Sequence, residues 1–366
     1  MNKFWIILII GILLRLFLAF STFHPDLMAF YLGGTMVREG NILNLYDLSS
    51  EKATFNYPPL IYWFFGVFNF LSGGNFVFLK LPYLIFDLSL GLILMKLVGS
   101  KKAVLAFGFW MFNPINLYAT YMMGQFDIIP TFFTVLSFYL VAKDRLKLAA
   151  LALGFGIAFK LYPVFLLLPL IILGQTIWDK FKLAILAILP YLLTTLPYIL
   201  SSSFRSNALL ASQASKSLYV NLPVSGGEAI LLFPAFLIFF YLLIWRKRLD
   251  KIIFWKIYLI PLLLFFIFTH YHPQWLIWIT PFLILDLTLE RFKNLLPILI
   301  IFLTWVASLF FFDPSLTLGM FIPSPTIWEI LKVNVDYNFS RSVLQTVFAA
   351  TSFYLIYEYF PKKENA

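Results

Sequence analysis

Apolar runs of roughly 20 residues recur from one end of this chain to the other, and a run of that length can cross the hydrocarbon core of a bilayer as a helix. Hydrophobic residues make up 61% of the 366 residues, whereas charged residues make up only 12%. The sequence therefore predicts an all-α, polytopic membrane protein that is integral to the membrane and crosses it many times.

Short basic loops separate many of the apolar runs. They are GSKK at 99–102, KDRLK at 143–147, DKFK at 179–182, RKRLDK at 246–251, ERFK at 290–293 and the PKKE tail at 361–364. Because lysine and arginine accumulate on the cytoplasmic side of membrane proteins, these loops belong inside the cell. They also account for the net charge of +10, so membrane lipids are the expected partners and nucleic acid is not.

Placing every basic loop inside predicts about twelve spans with both termini cytoplasmic. The predicted spans are residues 4–20, 77–98, 103–121, 127–142, 148–159, 161–174, 183–200, 228–245, 252–269, 275–289, 295–312 and 342–360. The apolar segment 58–71 has only about 14 residues and, if it crossed, would put Lys101 outside, so we expect it to lie on the outer surface. The first run contains Arg15 and no small-residue cleavage site, which favours a retained span over a signal peptide.

Three predicted outer segments are long enough to hold a site, namely 21–76, 201–227 and 313–341. None of them has the roughly 100 residues of a typical soluble domain. We therefore expect a single membrane-embedded domain, 1–366, that acts at or in the bilayer. Within it, a core module at 1–175 with its outer loop 21–76 is distinguished from a more variable helical module at 176–366.

Cysteine is absent and there are only three histidines. These counts exclude a disulfide framework and thiolate chemistry, and they provide no convincing zinc site. We expect no cofactor. A divalent metal is not excluded, but nothing in the sequence indicates one.

Asp26 follows the first predicted span by a few residues, in the segment FHPDLMAFY at 23–31. An acid at the outer interface is partly desolvated, which raises its basicity and suits it to general-base catalysis beside a lipid-linked headgroup. The alternative is that Asp26 only caps the helix that follows. Further along the same loop, Tyr57 begins an aromatic segment that either contacts the substrate or only anchors the interface.

These features resemble the C superfamily (GT-C) of membrane glycosyltransferases, which use polyprenyl-phosphate-linked sugars. The likeness rests on the first span, the acid after it, the interfacial helices and the segment YPPLIYW at 57–63. Gly-Gln-Phe-Asp at 124–127 and Lys-Leu-Tyr-Pro at 160–163 are similar to the Gly-Gln-x-Asp and Lys-x-x-Pro pattern of mannosyltransferases that depend on polyprenol-phosphate mannose. The resemblance covers 4–175 well and the remainder only in layout. Many such enzymes have an Asp-x-Asp pair in the first loop, whereas Met28 stands two positions after Asp26, which puts a carboxylate-held metal there in doubt.

Lys160 stands between two apolar residues at a predicted break between spans. A charge in that place is costly in lipid, so we expect it to face a cavity or an anion, with phosphate the obvious anion. The alternative is that it snorkels to the interface. On the first interpretation its replacement by methionine leaves the protein no less stable. Gln125 and Asp127 begin a span nearby, and Asp127 is either a substrate ligand or only a helix-start acid.

His270 and His272 lie in the outer turn THYHPQW at 269–275. We expect the two side chains to point to different faces of the turn, so that one histidine donates to a phosphate while the other sets the turn. The alternative is a pair of buried histidines with hydrogen-bonding roles only. The basic residues that the topology places outside mark phosphate sites or are plain surface charges. They are Arg205, Lys216, Lys332 and Arg341.

The resemblance implies an inverting glycosyltransferase that moves a sugar, expected to be mannose, from a polyprenyl-phosphate donor to a glycan or lipid acceptor at the external face of the cell membrane. Asp26 is the expected catalytic base. The expected substrate-binding residues are Tyr57, Gln125, Asp127, Lys160, Arg205, His270, His272 and Arg341. The alternatives are a lipid-linked-sugar transporter or flippase and a non-catalytic membrane subunit. Transporters often show internal repeats and helices broken at mid-membrane, whereas the candidate residues here are predicted at the outer rim, which favours the enzyme.

Overall fold

The computed structural model describes residues 3–48, 54–73, 76–209, 215–245, 247, 249–251, 253–311, 320 and 336–360. These residues form a helical bundle whose apolar runs fold into helices, as the sequence predicts. The helices are α1 Lys3–Ser21, α2 Asp26–Arg38, α3 Pro59–Leu71, α4 Tyr83–Val98, α5 Ala103–Met111, α6 Pro114–Asn116, α7 Ile128–Ala142, α8 Leu146–Phe159, α9 Leu167–Ile172, α10 Ile177–Thr195, α11 Ser202–Phe204, α12 Leu232–Trp245, α13 Phe254–Phe268, α14 Thr280–Leu289, α15 Leu295–Leu309 and α16 Tyr337–Tyr359. The core surrounds α13, which is buried at every position except Lys256.

Several predicted spans are interrupted by tighter or wider turns. Helix α5 stops at Met111, and Pro114 starts a new helical turn that widens into a π-helix at Leu117–Met122. The break predicted at 159–163 is confirmed: α8 ends at Phe159, and a 3₁₀ helix, Tyr162–Leu166, leads into α9. Another 3₁₀ helix, Pro273–Trp278, precedes α14.

The predicted outer segment 201–227 and the start of the following span contain a feature that the sequence analysis missed. Strands β1 Asn221–Ser225 and β2 Glu228–Leu231 pair in antiparallel register across Gly226 and Gly227, both of which have positive φ. Because Glu228–Leu231 is used in this hairpin, α12 begins at Leu232 rather than at residue 228.

Contacts join the predicted cytoplasmic loops to one another at one end of the bundle. Three lysines form ion pairs between different loops or adjoining helices: Lys251 with Asp144, Lys256 with Glu290 at 2.6 Å, and Lys293 with Glu358 at 2.6 Å. Two further lysines make other contacts between these elements. Lys102 donates to the Thr288 carbonyl, and the ammonium of Lys180 lies over the ring of Trp245. The segregation of basic loops to one end is therefore present in the fold. Most candidate functional residues lie at the opposite helix ends, as Asp26 does after α1 and Lys160 does after α8.

Length and composition mark three helical stretches of the described residues as long and apolar enough to cross a membrane, namely Lys3–Ser21, Phe78–Val98 and Ile177–Tyr198. Eight further apolar helices are 10–17 residues long. The chain is thus an all-α membrane protein apart from its one described hairpin. The count of about twelve spans stays a prediction.

Helices α2 and α3 form the predicted helical pair of the first outer loop and pack closely through glycine. A Cβ atom at Gly34 would lie 2.8 Å from the backbone carbon of Phe65, and one at Gly66 would lie 2.4 Å from a methyl group of Val37. Asn69, near the end of α3, accepts a hydrogen bond from Arg38, the last residue of α2, at 2.8 Å. This packing fixes the orientation of α2, which begins with Asp26.

A buried polar network ties α1 and α4 to the π-helix. Arg15 and Asp87 are both fully buried and form an ion pair at 2.5 Å. The Asp87 carboxylate also accepts from Trp110 at 2.7 Å, from Asn116 at 2.9 Å and from the Tyr121 hydroxyl at 2.6 Å. Each added donor offsets part of the cost of placing a charge in the apolar core. The network holds the chain segment that leads directly to Gln125 and Asp127.

Candidate functional site

Asp26 is the first residue of α2 and sits where the chain turns after α1. Its carboxylate accepts from the Gln125 amide at 2.7 Å, and half of its side chain (52%) is exposed. The residue before it, Pro25, holds the N-cap position, and no side chain caps this helix. The carboxylate is thus oriented by a partner 99 residues away in sequence and stays open to solvent. Helix capping does not account for its geometry.

His24, which the sequence analysis did not select, supports this turn. It is buried, and its Nδ1 accepts from the Asp26 backbone amide at 3.2 Å while lying 3.7 Å from the Asp26 carboxylate. Because Nδ1 accepts a hydrogen bond here, the proton of the neutral ring is on Nε2. The turn therefore presents Asp26 with one ordered polar neighbour on each side.

The turn at 122–127 brings Gln125 to Asp26. Gly124 has φ of +68°, a left-handed conformation that favours glycine, and a Cβ atom there would lie 3.1 Å from Cε of Lys80. Lys80 is buried, and its ammonium donates to the carbonyls of Thr22 and Tyr121, each at 2.8 Å. This lysine, also missed from the sequence, joins the end of α1 to the end of the π-helix, so Asp26 and Gln125 stand on one connected unit.

Lys160 and Asp127 form a buried ion pair. Lys160 follows α8 in extended conformation, and its Nζ lies 2.7 Å from Oδ1 of Asp127. The same oxygen accepts from the indole nitrogen of Trp278 at 2.6 Å. Asp127 occupies the N-cap position of α7 but makes no side-chain cap bond. The anionic partner expected for Lys160 is present in the protein itself, and snorkelling is wrong because the lysine is only 7% exposed.

Aromatic rings enclose the Lys160 ammonium. Its Nζ lies 5.3–5.4 Å from the ring centroids of Tyr57, Phe126, Trp275 and Trp278. Such faces attract a cation and attract it more strongly when it is desolvated. Tyr57 is held in this group because its carbonyl accepts from the Tyr46 hydroxyl at 2.6 Å.

Lys160 and three of these rings line a cavity of about 250 Å³. The other residues that close it are mainly apolar, with Ser217 and Tyr162 among the polar ones. Asp26 does not line this cavity, but its hydrogen-bond partner Gln125 stands two residues before Asp127, which pairs with Lys160. We call this space the lysine cavity.

Lys216 and His272 border the lysine cavity. The Lys216 ammonium is 3.2 Å from Nε2 of His272 and lies over the ring of Trp275, a cavity residue, at 5.7 Å. Because lysine only donates, Nε2 accepts and Nδ1 carries the proton. Burial and the neighbouring cations, with Lys216 the first of these, lower the pKa of His272 to about 4, so the ring is neutral at pH 7.

His270 lies next to His272 rather than on an opposite face. The two ring centroids are 5.8 Å apart, so the expectation of opposite faces is wrong. Side chains two residues apart in extended backbone lie on the same side. Directly after these residues, Pro273 starts a 3₁₀ helix and its carbonyl accepts from Trp305 at 3.0 Å. Nδ1 of His270 is 3.5 Å from the guanidinium of Arg341. Burial and Arg341 lower the pKa of His270.

The structure brings most of the predicted site residues to one region. An arc runs from Asp26 and Gln125 through the Lys160–Asp127 pair and Tyr57 to His272, and then to His270 and Arg341. Arg205 is different: it is exposed and donates to the carbonyls of Ile199 and Leu200 at 2.9 and 2.8 Å. Its described contacts are structural and involve none of the other candidates. Lys332 lies outside the described residues.

Comparison with known proteins adds a family assignment for part of the chain. Residues 121–213 match the family model described as Mannosyltransferase (PIG-M). This part resembles membrane mannosyltransferases. The matched stretch contains Gln125, Asp127 and Lys160, and lies further toward the C-terminus than the expected 4–175. The resemblance to GT-C mannosyltransferases is thereby confirmed.

Individual relatives of this chain include three fungal proteins that are all named GPI mannosyltransferase 1. The chain is 29% identical over 125 residues to GPI mannosyltransferase 1 of Saccharomyces cerevisiae, which covers 33% of this chain and 30% of the yeast protein. It is 30% identical over 129 residues to GPI mannosyltransferase 1 of Kluyveromyces lactis, with 32% and 30% covered, and 33% identical over 92 residues to that of Candida albicans, with 23% of each covered. The chain thus spans less than a third of the length of these curated relatives.

Proposed function

We propose that this protein is an inverting mannosyltransferase that transfers mannose from a polyprenyl-phosphate donor to an acceptor hydroxyl at the external face of the membrane. The observation that carries the proposal is that a half-exposed carboxylate, Asp26, lies near the lysine cavity. The ammonium of Lys160 in that cavity is enclosed by aromatic rings. The likeness of 121–213 to mannosyltransferases supports the choice of mannose.

In the proposed reaction, the acceptor oxygen attacks the anomeric carbon while the bond from that carbon to the phosphate oxygen breaks. Asp26 accepts the proton of the acceptor hydroxyl, and polyprenyl phosphate leaves with the electron pair. General bases of this kind contribute about 10²–10⁴-fold to rate. Gln125 holds the Asp26 carboxylate by donating to one oxygen, and the other oxygen takes the proton.

Negative charge grows on the leaving phosphate as the sugar departs. Lys160 and Lys216 are the cations beside the lysine cavity, and they stabilise this charge most strongly where water is excluded. Asp127 keeps Lys160 charged and in place before the donor arrives. His272, neutral at pH 7, adds its Nδ1–H as a hydrogen-bond donor rather than a third positive charge.

The catalytic prediction is that Asp26→Asn lowers the transfer rate at least about a hundredfold while donor binding is kept, since asparagine has nearly the same shape but cannot accept the proton. The measurement is transfer of radiolabelled mannose from polyprenyl-phosphate mannose by membranes or purified protein. Asp47→Asn is the matched control, because Asp47 is an exposed carboxylate of the same loop that accepts from Ser201.

Wild-type turnover by Asp26→Asn, or equal losses in both variants, would refute the assignment of the base. Donor binding without any transfer by the wild type would instead favour the transporter or flippase.

A further inference from the structure

A second cavity lies beside the lysine cavity, between the end of α13 and the first turns of α16. Its volume is about 430 Å³. The polar residues that line it include Thr269, His270, Asn338, Arg341, Ser342 and Gln345. It shares no described lining residue with the lysine cavity, and the 5.8 Å contact between the rings of His270 and His272 separates the two. We call it the arginine cavity.

The polar groups that line the arginine cavity are suited to an anion. The guanidinium of Arg341, the ring of His270 and the amide of Asn338 carry donor groups, and no aspartate or glutamate is among the lining residues that the structure describes. The hydroxyl of Ser342 and the amide of Gln345 already donate to backbone carbonyls. The first turns of α16 add the positive end of a helix dipole. Asp336 caps that helix through the amides of Asn338 and Phe339 and is exposed, outside the cavity lining.

One buried group points independently to a ligand. Thr269 is 2% exposed, and its hydroxyl has no hydrogen-bond partner in the part of the chain that the structure describes. Buried hydroxyls without a partner are uncommon because the desolvation of the group is left without compensation. Thr269 lines the arginine cavity, and a rotation of its side chain, whose hydroxyl has almost no accessible surface as placed, would let that hydroxyl donate to a ligand oxygen there.

We propose that the arginine cavity binds an oxyanion, a phosphate or a carboxylate, at a site distinct from the lysine cavity. Arg341 supplies the charge, and Thr269 and His270 supply further hydrogen bonds. In the reaction proposed above, the natural bearer of this group is the acceptor. That last assignment rests on the proposed function, whereas the anion site itself does not.

The test uses full-length protein in phosphatidylcholine nanodiscs and titrates inorganic phosphate, with binding followed by ³¹P NMR line broadening. Arg341→Gln should weaken phosphate binding about tenfold or more, the factor expected for a hydrogen bond between charged groups. Arg205→Gln is the matched control, since that arginine donates to backbone carbonyls at an exposed site. Equal phosphate affinity in Arg341→Gln, Arg205→Gln and the wild type would overturn the proposal.

Thr269→Val keeps the shape of the side chain and removes the hydroxyl. We expect it to bind phosphate more weakly and to unfold at the same or a higher temperature, because the hydroxyl has no hydrogen-bond partner among the residues that the structure describes. A loss of thermal stability with unchanged phosphate affinity would mean that the hydroxyl has a purely structural role and would contradict the site.

The two sources of an oxyanion are separated by the lipid composition. Nanodiscs with phosphatidylglycerol should reduce phosphate affinity if the site takes a membrane-lipid headgroup, and should leave it unchanged if the site takes a group carried by the acceptor. Lys216→Met, which alters the lysine cavity, should leave the phosphate affinity of the arginine cavity unchanged, since the two sites are separate. Failure of mannosyl transfer in the wild type would refute the proposed function and would leave these binding results intact.

Discussion

At the scale of single residues, the Lys160–Asp127 pair shows both the reach and the limit of the sequence. A lone lysine between Phe159 and Leu161 correctly predicts an anionic partner, because such a charge is costly in an apolar setting. The partner is 33 residues away and belongs to the protein, which chain order alone does not reveal. The expectation that Lys160→Met leaves the protein no less stable does not fit this ion pair, since the substitution would leave the charge of Asp127 buried without its cation.

We predict that Lys160→Met lowers the free energy of unfolding by about 3–5 kcal/mol, the usual result of removing one member of a buried pair. The double variant Lys160→Met with Asp127→Leu should recover most of this loss, because no unpaired charge remains. Thermal unfolding in nanodiscs measures both. Lys182→Met is the control at an exposed position and should change stability by less than about 0.5 kcal/mol.

The double variant also tests the role of the pair in binding. It should remain folded and yet bind the polyprenyl-phosphate donor poorly. If the double variant bound the donor as tightly as the wild type, the Lys160–Asp127 pair would have a structural role only.

His272 gives a pH prediction. Its pKa of about 4 in the folded protein lies below the value near 6.5 of an unfolded histidine, so the unfolded state binds more protons between these two values. Its contribution to stability is therefore complete above about pH 6.5 and is lost as the pH falls toward 4. His272→Gln should remove about 1–2 kcal/mol of the stability difference between pH 7 and pH 5. If the free energy of unfolding of the wild type and of His272→Gln changed equally with pH, the lowered pKa of His272 would be contradicted.

At the scale of helices and strands, periodicity and length predicted the helices well and the turns poorly. The hydrophobic pattern predicts loop up to residue 227 and a span from residue 228, and so does not predict the hairpin at 221–231. Gly226 and Gly227 between two short runs are nevertheless a recognised hairpin signal. The buried Arg15–Asp87 pair was also missed. Its members stand 72 residues apart, and only the packing of α1 against α4 and the π-helix brings them together.

The close packing of α2 on α3 leads to a prediction about Gly34. A Cβ atom there would lie 2.8–2.9 Å from backbone atoms of Phe65, which cannot move aside as a flexible side chain can. Gly34→Ala should therefore destabilise the protein by about 1–3 kcal/mol and lower the transfer rate, since α2 carries Asp26. The readouts are the unfolding temperature and mannosyl transfer.

Gly108→Ala is the matched control for Gly34→Ala. Gly108 also lies within a helix, but its added Cβ atom would meet only Ile7 at 3.6 Å, an ordinary contact. We expect equal or higher stability, because alanine is the better helix former. A similar loss in both variants would show that helix propensity, and not the approach of α2 to α3, determines the result.

At the scale of the whole molecule, the ion-paired basic loops and the candidate site residues lie at opposite ends of the bundle. Ion pairs at the basic end, such as Lys256–Glu290 and Lys293–Glu358, hold loops that are distant in sequence. The opposite end carries the lysine cavity, the arginine cavity and Asp26. Charge patterning was sufficient to predict this division because it depends on the sign of each loop and not on side-chain contacts. The orientation in the membrane follows from the positive-inside rule and is open to direct measurement.

Cysteine labelling tests this orientation without a background signal, because the sequence contains no cysteine. Ser225→Cys lies in the exposed hairpin and Lys101→Cys lies in an exposed basic loop. In intact cells, a membrane-impermeant thiol reagent should label position 225 at once and position 101 only after permeabilisation. Ala106→Cys, at a fully buried position, should stay unlabelled in both conditions and so reports on unfolded protein. The reverse order of labelling would place Asp26 and both cavities at the cytoplasmic face, and the donor headgroup would then have to be presented from inside the cell.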